Sequence, residues 1–280
     1  MKNILISKLQ STQSYTNQEL IWLLENIGHP DPTIRDELVY ASFCHIFLEG
    51  LITREQAQSL LQFSQETKPF SLEGSTQKRS FICLLYSLLL SVDNEPESIY
   101  HAFLSTNDRE LLFQQALDYL AIENDWSGYD EKLGWIHTAA HGADFLLAAS
   151  CHDQFPAEKN KEVWQTIVTC LTKQSKVFSA GEEIRLAQIP VYLLLNEKVS
   201  SQELTEWISK LNFPNQEPVD YFRWLNLQHF LSSLYFQLRS HQALTEEIEQ
   251  AIEGKIEPII TTRLTGGLNR GYKPTSPASA

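Results

Sequence analysis

Basic residues are scarce in this chain. Its 280 residues include 22 Lys and Arg against 35 Asp and Glu, a formal net charge of −13 with a pI near 5.1. No Lys/Arg-rich run offsets that field, which repels phosphate backbones and makes nucleic acid an unsuitable partner. Long hydrophobic runs are missing as well. The most apolar window, Phe81 to Val92, has 12 residues, too few for a membrane span and the right length for a buried helix. The opening MKNILISKLQSTQS holds one short apolar patch and then turns polar, too little for the apolar region of a signal peptide. Cys44, Cys83, Cys151 and Cys170 are far apart and form no C-x-x-C pair, so they read as small buried hydrophobes in a reducing compartment. A Gly-rich phosphate loop and a Ser nucleophile elbow are both absent. Cys151 and His152 are adjacent, but neighbours on a helix diverge by about 100° and do not act on each other. These absences together lead to an expectation of a soluble, cytoplasmic protein with no nucleic-acid or membrane partner.

Alternating apolar and polar runs of useful length are also lacking, and what replaces them is helical periodicity. Thr16 with Glu19 three residues later gives a capping-box start to a helix that Gly28 to Pro32 ends. The segment IRDELVYASFCHIFLEG is amphipathic and stops at Gly50, and Thr53 caps the next helix, REQAQSLLQFSQE. Further helices are expected over Lys78–Val92, Pro96–Phe103, Asp108–Ile122, Trp135–Ser150 and Glu158–Lys173. The series continues over Glu182–Asn196, Ser201–Leu211, Tyr221–Leu238 and Leu244–Glu253. Long apolar helices with an early Arg alternate with Ser/Thr-capped polar ones at intervals of roughly 40 to 55 residues, the pattern of stacked antiparallel helix pairs. The expected fold is all-α, a HEAT-like α-α superhelix in a single domain. Residues 1–30 would form an N-terminal helix and turn, 31–258 the helical-repeat domain, and 259–280, rich in Gly, Pro, Ser and Thr, a disordered tail.

The stretch with chemistry in it is Gly134 to Ser150, GWIHTAAHGADFLLAAS. On a helix, His137, His141 and Asp144 fall within a stripe roughly 60° wide, beside an apolar stripe of Ile136, Ala140, Ala143 and Leu147. Two imidazoles at i, i+4 lie about 6 Å apart and can share a divalent metal, with Asp144 as a third, oxygen ligand and one position left open. The zinc-peptidase motif needs Glu after the first His, and here that residue is Thr138. A ligand pocket without metal, in which one His acts as general base and Asp144 orients it, is a second reading. Plain interhelix hydrogen bonding is a third. Gly142 within the stretch marks a close approach by another backbone or a ligand.

Arg35, Arg79, Arg185 and Arg223 recur early in four helices. They are either salt bridges between repeats, with Asp36, Glu37, Glu182 and Glu183 as nearby carboxylates, or, gathered at one rim, an anion site. Trp126, Tyr129 and Trp135 flank the start of the central helix, as core, lid or the mouth of a pocket. Arg35, Arg79, Trp135 and Arg185 are therefore the candidate ligand-binding residues, beside the candidate catalytic and metal-binding trio His137, His141 and Asp144.

Five segments in order, IRDELVYASF, KRSFICLLYSLLL, DWSGYDEKLGWIHTAAHGADFL, GEEIRLAQIPVYLLL and NLQHFLSSLYFQL, resemble the bacterial family known as domain of unknown function 2785. The resemblance runs from about Arg35 to Leu238. It implies an all-helical fold and carries no assigned chemistry. Family members often have Arg where Ser127 stands, so any role of that Arg does not transfer to this chain. Two functions are therefore expected as alternatives. One is a small polar or anionic ligand or metal pocket at the His-x-x-x-His-x-x-Asp stripe, with hydrolase-like chemistry. The other is a protein-interaction scaffold in which the stripe only ties helices together.

Overall fold

The computed structural model describes residues 1–213 and 219–258, so the tail expected over 259–280 lies outside the described residues. The chain is all-α, with α1 at Lys2–Lys8, α2 at Asn17–Glu25 and α3 at Pro32–Ile34. A π-helical turn, Arg35–Tyr40, joins α3 without a break to α4, Ala41–Glu49. There follow α5 (Arg54–Glu66), α6 (Thr76–Asn94) and α7 (Thr106–Ile122), then two short strands, β1 (Tyr129–Asp130) and β2 (Gly134–Trp135). The remaining helices are α8 (Thr138–Cys151), α9 (Asn160–Lys173), α10 (Glu182–Leu195), α11 (Ser201–Lys210), α12 (Val219–Ser240) and α13 (Glu246–Pro258).

The caps explain where most of these helices begin. Thr16 with Glu19, Thr53 with Gln56, Ser105 with Asp108 and Ser200 with Glu203 all form reciprocal capping boxes, each satisfying two backbone donors that the helix itself cannot. Gly50 ends α4 in the left-handed conformation, as its position predicts. The short helix expected over Pro96–Phe103 does not form. Its residues make a chain of turns with Ala102 at φ 54°, drawn in because the Asp93 carbonyl accepts from Ala102 N and the Asp93 carboxylate from Leu104 N.

Alternate helices pack in a row, α4 on α6, α6 on α8, α8 on α10 and α10 on α12, while α7 packs on α9 and α11 on α13. The apolar window of the sequence lies within α6, where Phe81 to Tyr86 are all buried because neighbours cover the helix on both sides. The buried apolar residues form one contiguous cluster running from Leu5 to Ile252. Gly142 of α8 has a packing cause: a Cβ there would stand 2.6 Å from Tyr119 and Leu120 side chains. The close approach is therefore that of α7, not of a ligand. Among the described residues, no helix is long and apolar enough to cross a membrane.

Candidate functional site

The site is assembled by the irregular segment that precedes α8. Asp125 accepts from Ser127 N and Oγ, which turns the chain, and the Ser127 and Gly128 carbonyls then receive the backbone N–H groups of Ile136, His137 and Thr138 at 2.8 to 3.1 Å. Between these points β1 and β2 pair as a small hairpin, with the Asp130 carboxylate accepting from Lys132 N and Leu133 N in its turn. Arg35 clamps this hairpin from behind. It is 0 % exposed, its Nη2 donates to the Leu133 and Trp135 carbonyls at 2.8 and 2.9 Å, and its Nε donates to Asp36 at 2.7 Å. Its guanidinium also lies 4.7 Å from the centre of the Phe81 ring.

This clamp overturns part of the expected geometry. His137 is not on the helix but is its N-cap, held at φ 51°, ψ 39°, a left-handed conformation that costs a non-glycine residue about 1 kcal/mol or more. The ring is turned to stack on Trp135, with 4.4 Å between centroids and 4° between planes. His141, in the first turn of α8, is still near, 5.4 Å from His137 centroid to centroid. Asp144, one turn on, accepts from Arg185 Nη1 of α10 at 2.9 Å. The Asp144 side chain is 17 % exposed and that of Arg185 51 %. The structure thus brings together His137, His141, Asp144, Trp135 and Arg185.

Ser80 of α6 sets which nitrogen of His141 carries the proton. Its hydroxyl lies 2.6 Å from the Ile136 carbonyl and 2.8 Å from His141 Nδ1. A hydroxyl has one proton, and the carbonyl can only accept. Ser80 therefore donates to Ile136 and accepts from Nδ1–H, which leaves His141 Nε2 as a bare lone pair with no hydrogen-bond partner among the described residues. Burial, reinforced by His137, Arg185 and Arg35, holds the His141 pKa well below the usual imidazole range. Burial, then Arg185, lowers that of His137 too, and its Nδ1 is buried without a partner. Burial pushes the Asp144 carboxyl up, against the pull of Arg185. Tyr40, raised by burial and by Cys44, is close enough to feel Asp144 and Arg185, and its ring meets the Phe81 edge 6.2 Å away.

A neutral imidazole with an open nitrogen can take a proton from a bound hydroxyl or water, and a half-exposed guanidinium can hold the negative charge that results. Among the described residues, no group of three or more His, Cys, Asp and Glu is placed to hold an ion. Of the expected trio, His137 leaves the helical register and Asp144 is engaged by Arg185, so the three do not share one helical stripe. The other arginines do not gather at a rim. Arg79 is 3 % exposed and makes a bidentate pair with Glu123 at 2.6 and 3.0 Å. Arg223 pairs with Asp220 at 2.6 Å.

A second histidine cluster gives a comparison within the same molecule. Asp93 accepts from Arg109 Nε at 2.8 Å and from His152 Nε2 at 3.1 Å, while His152 Nδ1 accepts from Gln154 N. Both imidazole nitrogens there have partners, as expected of a structural tie between α6, α7 and the end of α8. The His137 cluster differs in leaving nitrogens unmatched. Burial raises all four thiols, Cys151 to about 11, which disfavours the reactive thiolate.

The model of a protein family described as protein of unknown function, DUF2785, matches residues 71–236. The chain belongs to the DUF2785 family. The match covers Ser80 and the whole His137–Arg185 cluster and begins after Arg35, so the IRDELVYASF segment falls outside the part of the DUF2785 pattern found here. No curated protein and no solved structure matches the chain.

Proposed function

We propose that this DUF2785 protein binds a small polar anion that also carries a hydroxyl, a hydroxycarboxylate or hydrogen phosphate, at the cluster of His137, His141, Asp144, Trp135 and Arg185, its charged oxygens on Arg185 and its hydroxyl donating to His141 Nε2. The observation that carries the reading is the buried His137 Nδ1 without a partner, next to a His141 Nε2 with no hydrogen bond among the described residues and a half-exposed guanidinium, in a molecule whose other buried histidine has both nitrogens satisfied. Buried polar groups without partners are costly, and they persist where a ligand supplies the missing partner. Arg185 would take the anion and loosen its bond to Asp144. His141 Nε2, the open base, would serve hydrolase-like proton transfer with Asp144 orienting the ligand. The row of packed helices supports a reading as stacked HEAT-like pairs in one repeat domain over residues 31–258. The four unpaired cysteines suit a cytoplasmic setting. Isothermal titration with malate and with inorganic phosphate tests the site: saturable binding by the wild type should be lost in Arg185→Gln and in His141→Ala. Absence of binding, or binding indifferent to both substitutions, overturns it.

One observation favours the scaffold reading. Ile184, Tyr192 and Phe236, the last 65 % exposed, border a groove of about 610 Å³ between α10 and α12, an apolar surface of the kind that docks proteins. Under that reading Arg185→Gln is silent and Phe236→Glu removes partner binding.

A further inference from the structure

The loop that seats His137 also forms one wall of a separate cleft. Residues 124–128 on one side and 174–179 on the other, with Glu182 at the start of α10, enclose a cavity of about 480 Å³, within the size range of small-molecule sites. None of the proposed anion-site residues lines it. We propose that this cleft binds a small, uncharged, polyhydroxylated molecule of monosaccharide size.

The walls are irregular backbone, yet they are fixed in place. Asn226 of α12, fully buried, accepts from Phe178 N at 2.9 Å and donates to the Lys176 carbonyl at 2.8 Å. Across the cleft Asp125 is tied to Thr76 at 2.6 Å and to Ser127 at 2.6 Å. The two walls meet at Gly128, where a Cβ would stand 2.5 Å from the Ala180 Cβ and 2.7 Å from Glu182 Oε1. A cavity walled by loops pinned in this way loses little freedom when a ligand enters.

The lining decides the ligand's chemistry. Asn124, Ser127, Gln174, Ser175 and Ser179 supply uncharged donors and acceptors, and Trp126 supplies an apolar ring. An anion would meet Asp125 and Glu182. A cation would meet Lys176. A neutral polyol avoids both penalties and matches the amide and hydroxyl groups. Glu182 accepts from Ala180 N at 2.7 Å, which holds its carboxylate in place on the cleft wall.

The test is ligand-observed saturation-transfer NMR on the full chain with glucose and N-acetylglucosamine, with gluconate and glucosamine as charged analogues. Ser179→Trp and Ser175→Trp fill the cleft from exposed positions, and unchanged circular dichroism shows that each variant folds. The expected result is saturable binding of a neutral sugar, weaker binding of both charged analogues, loss of roughly tenfold or more in affinity in either tryptophan variant, and retention in His141→Ala. No saturable binding of either neutral sugar overturns the proposal. So does binding unaltered in both tryptophan variants, tighter binding of a charged analogue, or loss in His141→Ala, which would move the sugar to the imidazole cluster.

Discussion

Replacing Ser80 with Ala removes a single oxygen and orphans two buried groups at once. The Ile136 carbonyl loses the donor 2.6 Å away, and His141 Nδ1–H loses the acceptor 2.8 Å away, both inside a site from which Ser80 is wholly hidden from solvent. Each unsatisfied buried group costs about 1–3 kcal/mol, so the loss is roughly 2–6 kcal/mol. At about 2–4 °C per kcal/mol for a chain of this size class, the melting temperature should fall on the order of 10 °C. Ser150 provides the matched control. It is as buried as Ser80, but its hydroxyl donates to the Leu146 carbonyl one turn back in α8. That carbonyl belongs to the helix ladder and keeps a partner without Ser150. Ser150→Ala should therefore lie within about 1 kcal/mol of wild type. Urea titrations of the two variants, read by circular dichroism, give the comparison directly. Equal stabilities would refute the assignment of the Ser80 hydroxyl as the link that sets His141.

Glu123→Ala strands the buried Arg79 guanidinium and should cost about 3–5 kcal/mol by urea melt. Arg79→Met with Glu123→Leu should recover part of that loss; a double variant no more stable than Glu123→Ala would contradict the pairing. Gly142→Ala must push Tyr119 or Leu120 aside, an overpacking of about 1–3 kcal/mol measurable as a lower denaturation midpoint. For pH, His141 has its folded pKa lowered by burial, so the unfolded chain binds a proton near its ordinary pKa that the folded chain refuses. Stability should thus fall as pH drops below about 6.5, by up to about 1.4 kcal/mol per pH unit, and a His141→Gln variant should show a shallower slope between pH 7 and 5. Asp93 acts with the same sign in a lower pH window: burial raises its pKa, but His152, Leu104 N and Arg109 outweigh this and lower it. Its contribution, present at neutral pH, is lost as pH falls through and below the normal carboxylate range, and Asp93→Asn should flatten the acid limb of the stability curve.

Most of the helices could be read from the sequence because their signals are local. The Thr16 and Thr53 capping boxes and the Gly50 stop act within a few residues, and each lies where its pattern predicts. The site was legible only in its parts. Asp144, His141 and His137 were singled out by spacing, but the helix begins after His137 because Arg35, 98 to 100 residues away in sequence from its hairpin contacts, holds the preceding backbone. No period in the sequence encodes a left-handed residue imposed from a distance. The arginines illustrate the same limit. Asp36 was foreseen as a neighbour of Arg35, while the partners of Arg79 and Arg185, namely Glu123 and Asp144, lie 44 and 41 residues away. Ser80, 61 residues from His141, is an ordinary serine in an apolar helix until the fold places it.

The central claim is that the two imidazoles are kept neutral and that His141 Nε2 is left open to accept from the hydroxyl of an anion held on Arg185. Long-range proton–nitrogen NMR of the histidine rings at neutral pH, with and without malate or phosphate, tests it most directly. The account predicts His141 neutral with its proton on Nδ1, and saturable shifts of both His137 and His141 on adding either anion, absent in Arg185→Gln. A proton on His141 Nε2, or rings that ignore both anions, would contradict it.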